Sequence, residues 1–181
     1  MRVLIQDLLQ FSRTNKVEKI FEDSDLNALL DNAKQELAQI IEDKNAVVAN
    51  DELPTLKVIP FQIQQLFTNL IGNSLKYSKE NTRPIITISC STIISADEEF
   101  LPRSNNKYYK IAVADNGIGF DQEYAKKIFI LFNRLHNKNE YEGTGIGLAI
   151  CKKIVENHKG YLFAKGVEGE GSTFIIYLPI E

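Results

Sequence analysis

Asp115 and the two glycines that follow it, Gly117 and Gly119, form the first group of residues that could do chemistry in this chain of 181 residues. Tyr109, Ile111 and Val113 alternate with Tyr108, Lys110 and Ala112, which predicts a strand. Asp115 continues the parity of Ile111 and Val113, so its carboxylate should point into the same apolar layer. A buried carboxylate without a donor is costly, so a donor should meet it. Glycine directly after it lets backbone or ligand approach closely. Alone, D-x-G-x-G is a weak signal, since a strand-to-loop turn with a solvated aspartate gives the same string.

Gly143, Gly145 and Gly147 form a second glycine-rich loop that runs directly into an apolar helical pattern. The free N–H groups at a helix start attract phosphate. The loop lacks the Lys-Ser/Thr ending of a Walker loop and enters from a polar segment rather than a strand, which disfavours both familiar nucleotide folds. A third group is Asn69, Asn73 and Lys76, spaced to share one helix face. An amide oxygen can ligate Mg²⁺ and a lysine can offset phosphate charge. By itself this column reads equally as a solvated helix face.

The elements that must position these groups follow from periodicity. Residues 2–14 carry Val3, Leu4, Leu8, Leu9 and Phe11 at near-helical spacing. Residues 16–23 read as a short edge strand, and Ser24 or Asp25 as the cap of a helix running from Leu26 to Ile41. Short strands are expected over 46–49 and 56–59. A helix starts near Pro60, with Ile63, Leu66, Phe67, Leu70, Ile71 and Leu75 on its apolar side. Gln65, Asn69, Asn73 and Lys76 should gather on the side away from that packing surface.

Strands over 86–90 and 109–113 flank a polar connection, 97–106, expected as a surface loop. A short helix is expected over 121–132. A further helix carries Leu148, Ile150, Cys151, Ile154 and Val155 and ends at Gly160. Two closing strands flank a Gly-rich turn at 167–171. Strands outnumber the crossovers a parallel sheet needs, so the expected fold is an α/β (α+β) two-layer sandwich: one mixed sheet with helices on one face.

Composition narrows the function. Charged residues make up 25% and the net charge is −3, which favours neither nucleic acid nor an anionic membrane as partner. No apolar run approaches the ~20 residues of a membrane span, and Gln6 and Asp7 interrupt any leader-like start. Cys90 and Cys151 sit in apolar patterns, as buried thiols in a reducing, cytoplasmic compartment would.

Taken in order, the motifs resemble the GHKL ATP-binding fold, and within it the sensor histidine kinases. NLIGNSLKYS resembles that family's N box, DNGIGF its first glycine box, IFILFNRLH its F box, GTGIGLAICKKIVENHKG its second glycine box and GEGSTF its last. The resemblance covers residues 18–180. It implies Mg²⁺ ligation by Asn73, phosphate contact by Lys76, and adenine packing on Tyr77. It implies that Asp115 accepts the adenine amino group, with room for the base at Gly117 and Gly119 and water-mediated help from Thr173. Residues 133–142 would form a lid with Arg134 near the phosphates, and Gly143, Thr144, Gly145, Gly147 and Leu148 would wrap them. Phe129 and Phe132 are expected to pack the lid rather than touch ligand. Ser74 stands where the family usually has alanine and is expected to bond a backbone carbonyl.

LIQDLLQFSRT resembles the end of the second helix of a dimerisation and phosphoacceptor hairpin. That divides the chain into residues 1–15, the end of that helix, and 16–181, the ATP-binding catalytic domain. The acceptor histidine would then lie upstream. Neither His136, beside the lid, nor His158, on a packed helix stripe, suits that role. The implied partners are the phosphoacceptor domain of the chain's own homodimeric kinase and a response regulator receiver domain. The parent could be membrane-anchored without this segment touching the membrane.

Two alternatives stay open: an ATP-hydrolysing GHKL protein, and a degenerate interaction module that no longer binds ATP. The hydrolysing relatives place a glutamate one turn before the metal-binding asparagine. Asn69 stands there in this chain, and an amide cannot take a proton from water at neutral pH. The FNRLH and YEGTGIGL runs further resemble kinases linked to PAS or phytochrome sensors.

Overall fold

The computed structural model describes residues 2–16, 20–135 and 143–181. In chain order the elements are α1 (Arg2–Lys16), β1 (Glu22–Asp25), α2 (Leu26–Glu36), α3 (Ala38–Asp43), β2 (Val47–Asn50), β3 (Thr55–Val58) and α4 (Pro60–Lys76). After these come β4 (Ile85–Ile94), β5 (Lys107–Asp115), α5 (Gly147–Asn157), β6 (Tyr161–Val167) and β7 (Gly171–Pro179).

The main sheet has the order β2-β4-β5-β7-β6; β2 runs parallel to β4 and the other pairs are antiparallel. This is the mixed sheet expected, with α2, α4 and α5 packed on one face. The core between the layers is apolar: Leu66, Leu70 and Ile71 of α4 and Ile150 and Ile154 of α5 meet Ile86, Ile111, Val113 and Ile176 of the sheet. Burial of this kind contributes roughly 25 cal/mol per Å² of apolar surface, so these stripes, more than helix propensity, hold the helices in place.

Several boundaries differ from expectation for identifiable reasons. The first strand is Glu22–Asp25 and pairs with β3 in a separate two-stranded sheet. Asp25 does cap α2, its side chain accepting from the Asn27 N–H. The expected helix to Ile41 breaks at Leu37, which leaves helical geometry (ψ 5°) and directs its N–H to the carbonyls of the last turn of α2. Residues 121–132 form two 3₁₀ turns, Gln122–Tyr124 and Lys127–Phe129, not one helix. Gln122 explains this. Its side-chain amide accepts from Gly166 N–H and donates to the Ala164 carbonyl, so the segment is spent covering the free edge of β6.

The 97–106 connection is more than a surface loop. It folds over the outer face of the sheet, burying Leu101 with Tyr108, Ile175 and Tyr177. Phe100 stacks on Phe163 at 4.9 Å. Glu98 receives the Tyr177 hydroxyl at 2.6 Å and the Lys110 ammonium at 2.9 Å.

His158 ties the layers together as a packing residue. The Ile59 N–H, at the start of α4, donates to Nε2 at 3.0 Å, and Nδ1 lies 2.7 Å from the Ile154 carbonyl. A carbonyl only accepts, so Nδ1 carries the proton. His136 lies outside the described residues. At the end of α5 the left-handed residue is Lys159 (φ +55°); Gly160 is required because a Cβ there would come within 2.2 Å of the Tyr177 carbonyl. Gln65, expected on the open face of α4, is buried.

Candidate functional site

A cleft opens between α4, α5 and the C-terminal end of β5, and it has two compartments. Asn73, Tyr77, Ile128, Asn133, Arg134 and Leu148 line both. The deeper compartment is walled by Asp115, Phe120, Ser172 and Phe174. The outer one is bounded by Asn69, Lys76 and the loop from Gly143 to Gly147.

Asp115 is the centre of the deeper compartment. It ends β5 on the same side as the buried Ile111 and Val113, as its parity predicts. Four donors meet its carboxylate. Oδ1 accepts from Gly117 N–H at 2.9 Å and Ser172 N–H at 3.2 Å; Oδ2 accepts from Ser74 Oγ at 2.9 Å and Ser172 Oγ at 2.8 Å. Each carboxylate oxygen thus receives two donors, which fixes its orientation. Apolar walls around one fixed acceptor suit a flat heterocycle carrying an N–H donor.

The two glycines after Asp115 serve the protein's own packing. A Cβ on Gly117 would come within 2.5 Å of the Tyr77 carbonyl, which accepts the Ile118 N–H at 2.9 Å. Gly119 has φ +63°, and a Cβ there would meet the Val167 carbonyl at 2.0 Å. The loop is thus pressed against the end of α4 and the β6–β7 turn, which fixes Asp115 between them.

The outer compartment is built from loop backbone and side-chain ends. The Lys76 ammonium sits 4.8 Å from the Tyr77 ring centre and against Gly143, where a Cβ would come within 2.1 Å of Nζ. Gly145 has φ +73°, and its carbonyl accepts the Phe132 N–H at 3.0 Å. Ile146 precedes α5 and makes no side-chain cap bond to that helix start, where the first N–H groups have no partner within the helix. Asn69 Nδ2 lies 3.4 Å from the Gly147 carbonyl. Asn69 also contacts the Cys151 thiol, which burial pushes up to about 12, well away from reactivity. The Thr144 hydroxyl donates to the Asp7 carboxylate of α1.

These residues fit a magnesium–nucleotide. Lysine charge, uncapped helix N–H groups and closely spaced glycine backbone suit an anion. Among the described residues there is no cluster of three acidic, His or Cys side chains. Asp7, Asn69, Asn73 and Thr144, each with a side-chain oxygen, line the outer compartment; Mg²⁺ usually takes most of its ligands from phosphate and water.

Of the residues marked in the sequence, Asn69, Asn73, Lys76, Tyr77, Asp115, Gly119, Arg134, Gly143, Thr144, Gly145, Gly147 and Leu148 line this cleft, and Gly117 bonds Asp115 from beneath. Thr173 does not join them. It pairs with Ala114 while Ser172 pairs with Asp115, so Thr173 points to the opposite face of the sheet. Ser172 takes its place. Ser74 bonds Asp115 rather than a backbone carbonyl. Phe129 is buried against Phe174, whereas Phe132 is exposed with φ +63°. Of the expected lid, residues 136–142 lie outside the described residues.

Known proteins share this fold. A family model, histidine kinase-, DNA gyrase B- and HSP90-like ATPase, matches residues 59–181. Cyanobacterial phytochrome A of Nostoc sp. is 38% identical over 99% of this chain, and sensor protein kinase WalK of Staphylococcus saprophyticus is 34% identical over 98%. The chain spans 22% and 28% of the lengths of these curated relatives. Among solved structures, full-length ShkA in complex with AMPPNP superposes with a TM-score of 0.76 at 23% identity, covering 97% of this chain and 35% of that one. The catalytic domain of histidine kinase ThkA superposes at 0.68 with 24% identity, covering 88% and 95%. With a model matched over residues 59–181, from the start of α4 through the last strand, the chain belongs to the histidine kinase-, DNA gyrase B- and HSP90-like ATPase family.

Proposed function

We propose that this chain binds Mg²⁺–ATP and presents the γ-phosphate to a histidine on a helical hairpin, as the catalytic domain of a sensor histidine kinase. The observation that carries this reading is the continuous cleft joining Asp115 to the glycine loop, with Asn73 lining both compartments. Asp115 would accept the amino group of adenine between Tyr77, Phe120 and Phe174. Lys76 and the N–H groups of Gly145 and Gly147 would hold the phosphates, and the Asn73 amide oxygen would hold Mg²⁺, which neutralises charge on the transferring phosphoryl group. Arg134 and Leu148 would close over the nucleotide. ShkA's complex with AMPPNP supports an adenine nucleotide in this fold.

Asn69 favours transfer over hydrolysis. Its amide is directed at the Gly147 carbonyl and, being an amide, supplies no base for water. The chain would bind ATP and turn it over slowly until a histidine is offered. Residues 1–15 are assigned to the hairpin's second helix, the parent to a homodimeric cytoplasmic or membrane-anchored kinase, and the next acceptor to a response regulator receiver domain. No helix among the described residues is long and apolar enough to cross a membrane.

Calorimetry with ADP and ATP, with and without Mg²⁺, tests the first half of this reading. Binding that tightens with Mg²⁺ in the parent and loses that dependence in Asn73→Ala is expected. Adding a hairpin domain with its histidine should then give acid-labile phosphate on the hairpin. Rapid ATP hydrolysis without any acceptor would overturn the kinase assignment in favour of a hydrolase.

A further inference from the structure

Asp115 carries more donors than its two backbone neighbours supply, and the extra ones are hydroxyls of unequal character. Ser172 lines the cleft, so its hydroxyl can turn toward a ligand. Ser74 is 2% exposed and does not line the deeper compartment. It reaches Oδ2 from α4, directly after Asn73, and so bonds the carboxylate from behind. A carboxylate has about four lone-pair positions, and all four are taken here. An incoming amino group therefore needs one donor to give way. The two N–H groups are fixed by backbone, and Ser74 is enclosed by the core. Ser172 is the donor with freedom to move.

We propose that Ser74 is a positioning residue for base selection: its buried hydroxyl holds the Asp115 carboxylate while Ser172 yields Oδ2 to the 6-amino group of a purine. The proposal rests on reading the cleft as an adenine site. With Oδ2 fixed as an acceptor, a 6-oxo purine meets oxygen with oxygen and is rejected. Without Ser74 only the Ser172 hydroxyl holds Oδ2, so once Ser172 yields, the carboxylate can turn about its Cβ–Cγ bond and no longer sets an oxygen at a fixed place against the base. Ser74 thus sharpens the choice between amino and oxo bases without touching either.

The test is calorimetric titration of the whole chain with Mg²⁺–ADP and Mg²⁺–IDP, whose bases differ in the group on carbon six and in the proton that the 6-oxo base carries on the adjacent N1. The parent should prefer ADP. In Ser74→Ala that preference should shrink about 5-fold, the equivalent of one hydrogen bond. Adenosine and inosine should show the same narrowing, since the phosphates take no part. Alanine is smaller and the best helix former, so folding should survive. Ser74→Cys keeps a side chain of similar shape with a weak donor and should fall between; it carries the test if the alanine variant does not fold. An unchanged ADP-to-IDP ratio in the folded variant, or an equal loss for both nucleotides, would overturn the proposal and leave Ser74 a packing residue. Failure of the parent to bind ADP at all would instead remove the adenine-site reading.

Discussion

The two ends of the cleft are built differently. At the deep end, Asp115 is gripped by a helix residue (Ser74), a paired strand residue (Ser172) and a loop N–H (Gly117). The backbone of each of those partners is fixed by the sheet or by core packing, and only the Ser172 hydroxyl is free to turn. At the outer end, the Lys76 ammonium lies against Gly143, Thr144 reaches to Asp7 on α1, and Gly145 is held by a bond to Phe132, itself in left-handed geometry. The acceptor proposed for the base comes with folding. The end proposed to take phosphate is assembled from loop backbone and flexible side chains, which is where a site that must admit and release a charged group can adjust.

The largest effect should come from breaking the deep end chemically. In Asp115→Asn the amide oxygen would face the two N–H groups and the NH₂ would face the two hydroxyls, which can rotate to accept. The fold should then survive while the cleft presents a donor to adenine's amino group. ADP affinity is expected to fall about 100-fold, because a mismatched donor pair is left unsatisfied. IDP affinity should rise. Calorimetry with both nucleotides checks this, and a loss of both with a large drop in Tm would show that the carboxylate serves folding more than recognition.

Paired glycine substitutions compare the ends directly. Gly119 and Gly145 both have positive φ. In Gly119→Ala the new Cβ would collide with the backbone carbonyl of Val167, which the sheet holds in place. A cost of about 3 kcal/mol, or a fall in Tm of roughly 6–12 °C, is expected. In Gly145→Ala the nearest atoms are Phe132 and Asn133 backbone at 3.1 Å, in a loop that can shift. Stability should change by only about 1 kcal/mol, while ATP affinity drops about 10-fold. Equal melting of the two variants would mean that the glycine loop is as integral to the fold as the base pocket.

How far the sequence reveals this difference depends on strand coverage. The alternation in residues 109–115 is clean, so the direction of Asp115 is legible. In β7, Phe174, Ile175, Ile176, Tyr177 and Leu178 are all buried, because the 97–106 segment covers the outer face. Alternation is lost there, and Ser172 cannot be told from Thr173 without the register against β5. Counting back from Phe174, which shares Ser172's side, is the one local cue. Ser74 was visible as a departure, yet its partner lies far along the chain and no local pattern names it. The helix expected over 121–132 fails for the same kind of reason: Gln122 answers to the distant edge of β6, not to its neighbours. Glycine spacing and the α4 stripe, both local signals, placed most of the cleft.

A smaller effect should separate the compartments by ligand. Lys76 lies against the glycine loop, at the end proposed to take phosphate. Lys76→Met keeps the length of the stem and removes the charge. ATP affinity should fall about 10-fold at low salt, and adenosine affinity should stay unchanged. Titrations of both ligands against both proteins check this. A parallel loss for adenosine would show that Lys76 orders Tyr77, beneath it, and not the phosphates alone.

The smallest effect concerns the contact between α1 and the glycine loop. Asp7 lines the outer compartment and accepts the Thr144 hydroxyl. Its negative charge therefore sits where the cleft would receive phosphate. Asp7→Asn keeps an oxygen able to accept from Thr144 and removes the charge. If repulsion dominates, ATP affinity should rise about 3-fold at low ionic strength, and the gain should fade in high salt, where the Debye length falls to about 3 Å. ADP should gain less than ATP, and adenosine nothing, because the effect scales with phosphate charge. If the bond to Thr144 matters more than the charge, Asp7→Ala would behave differently from Asp7→Asn, loosening the loop and affecting all phosphorylated ligands alike. Identical weak gains in both variants would point to charge alone; a loss in both would show that α1 helps to build the phosphate end rather than guard it.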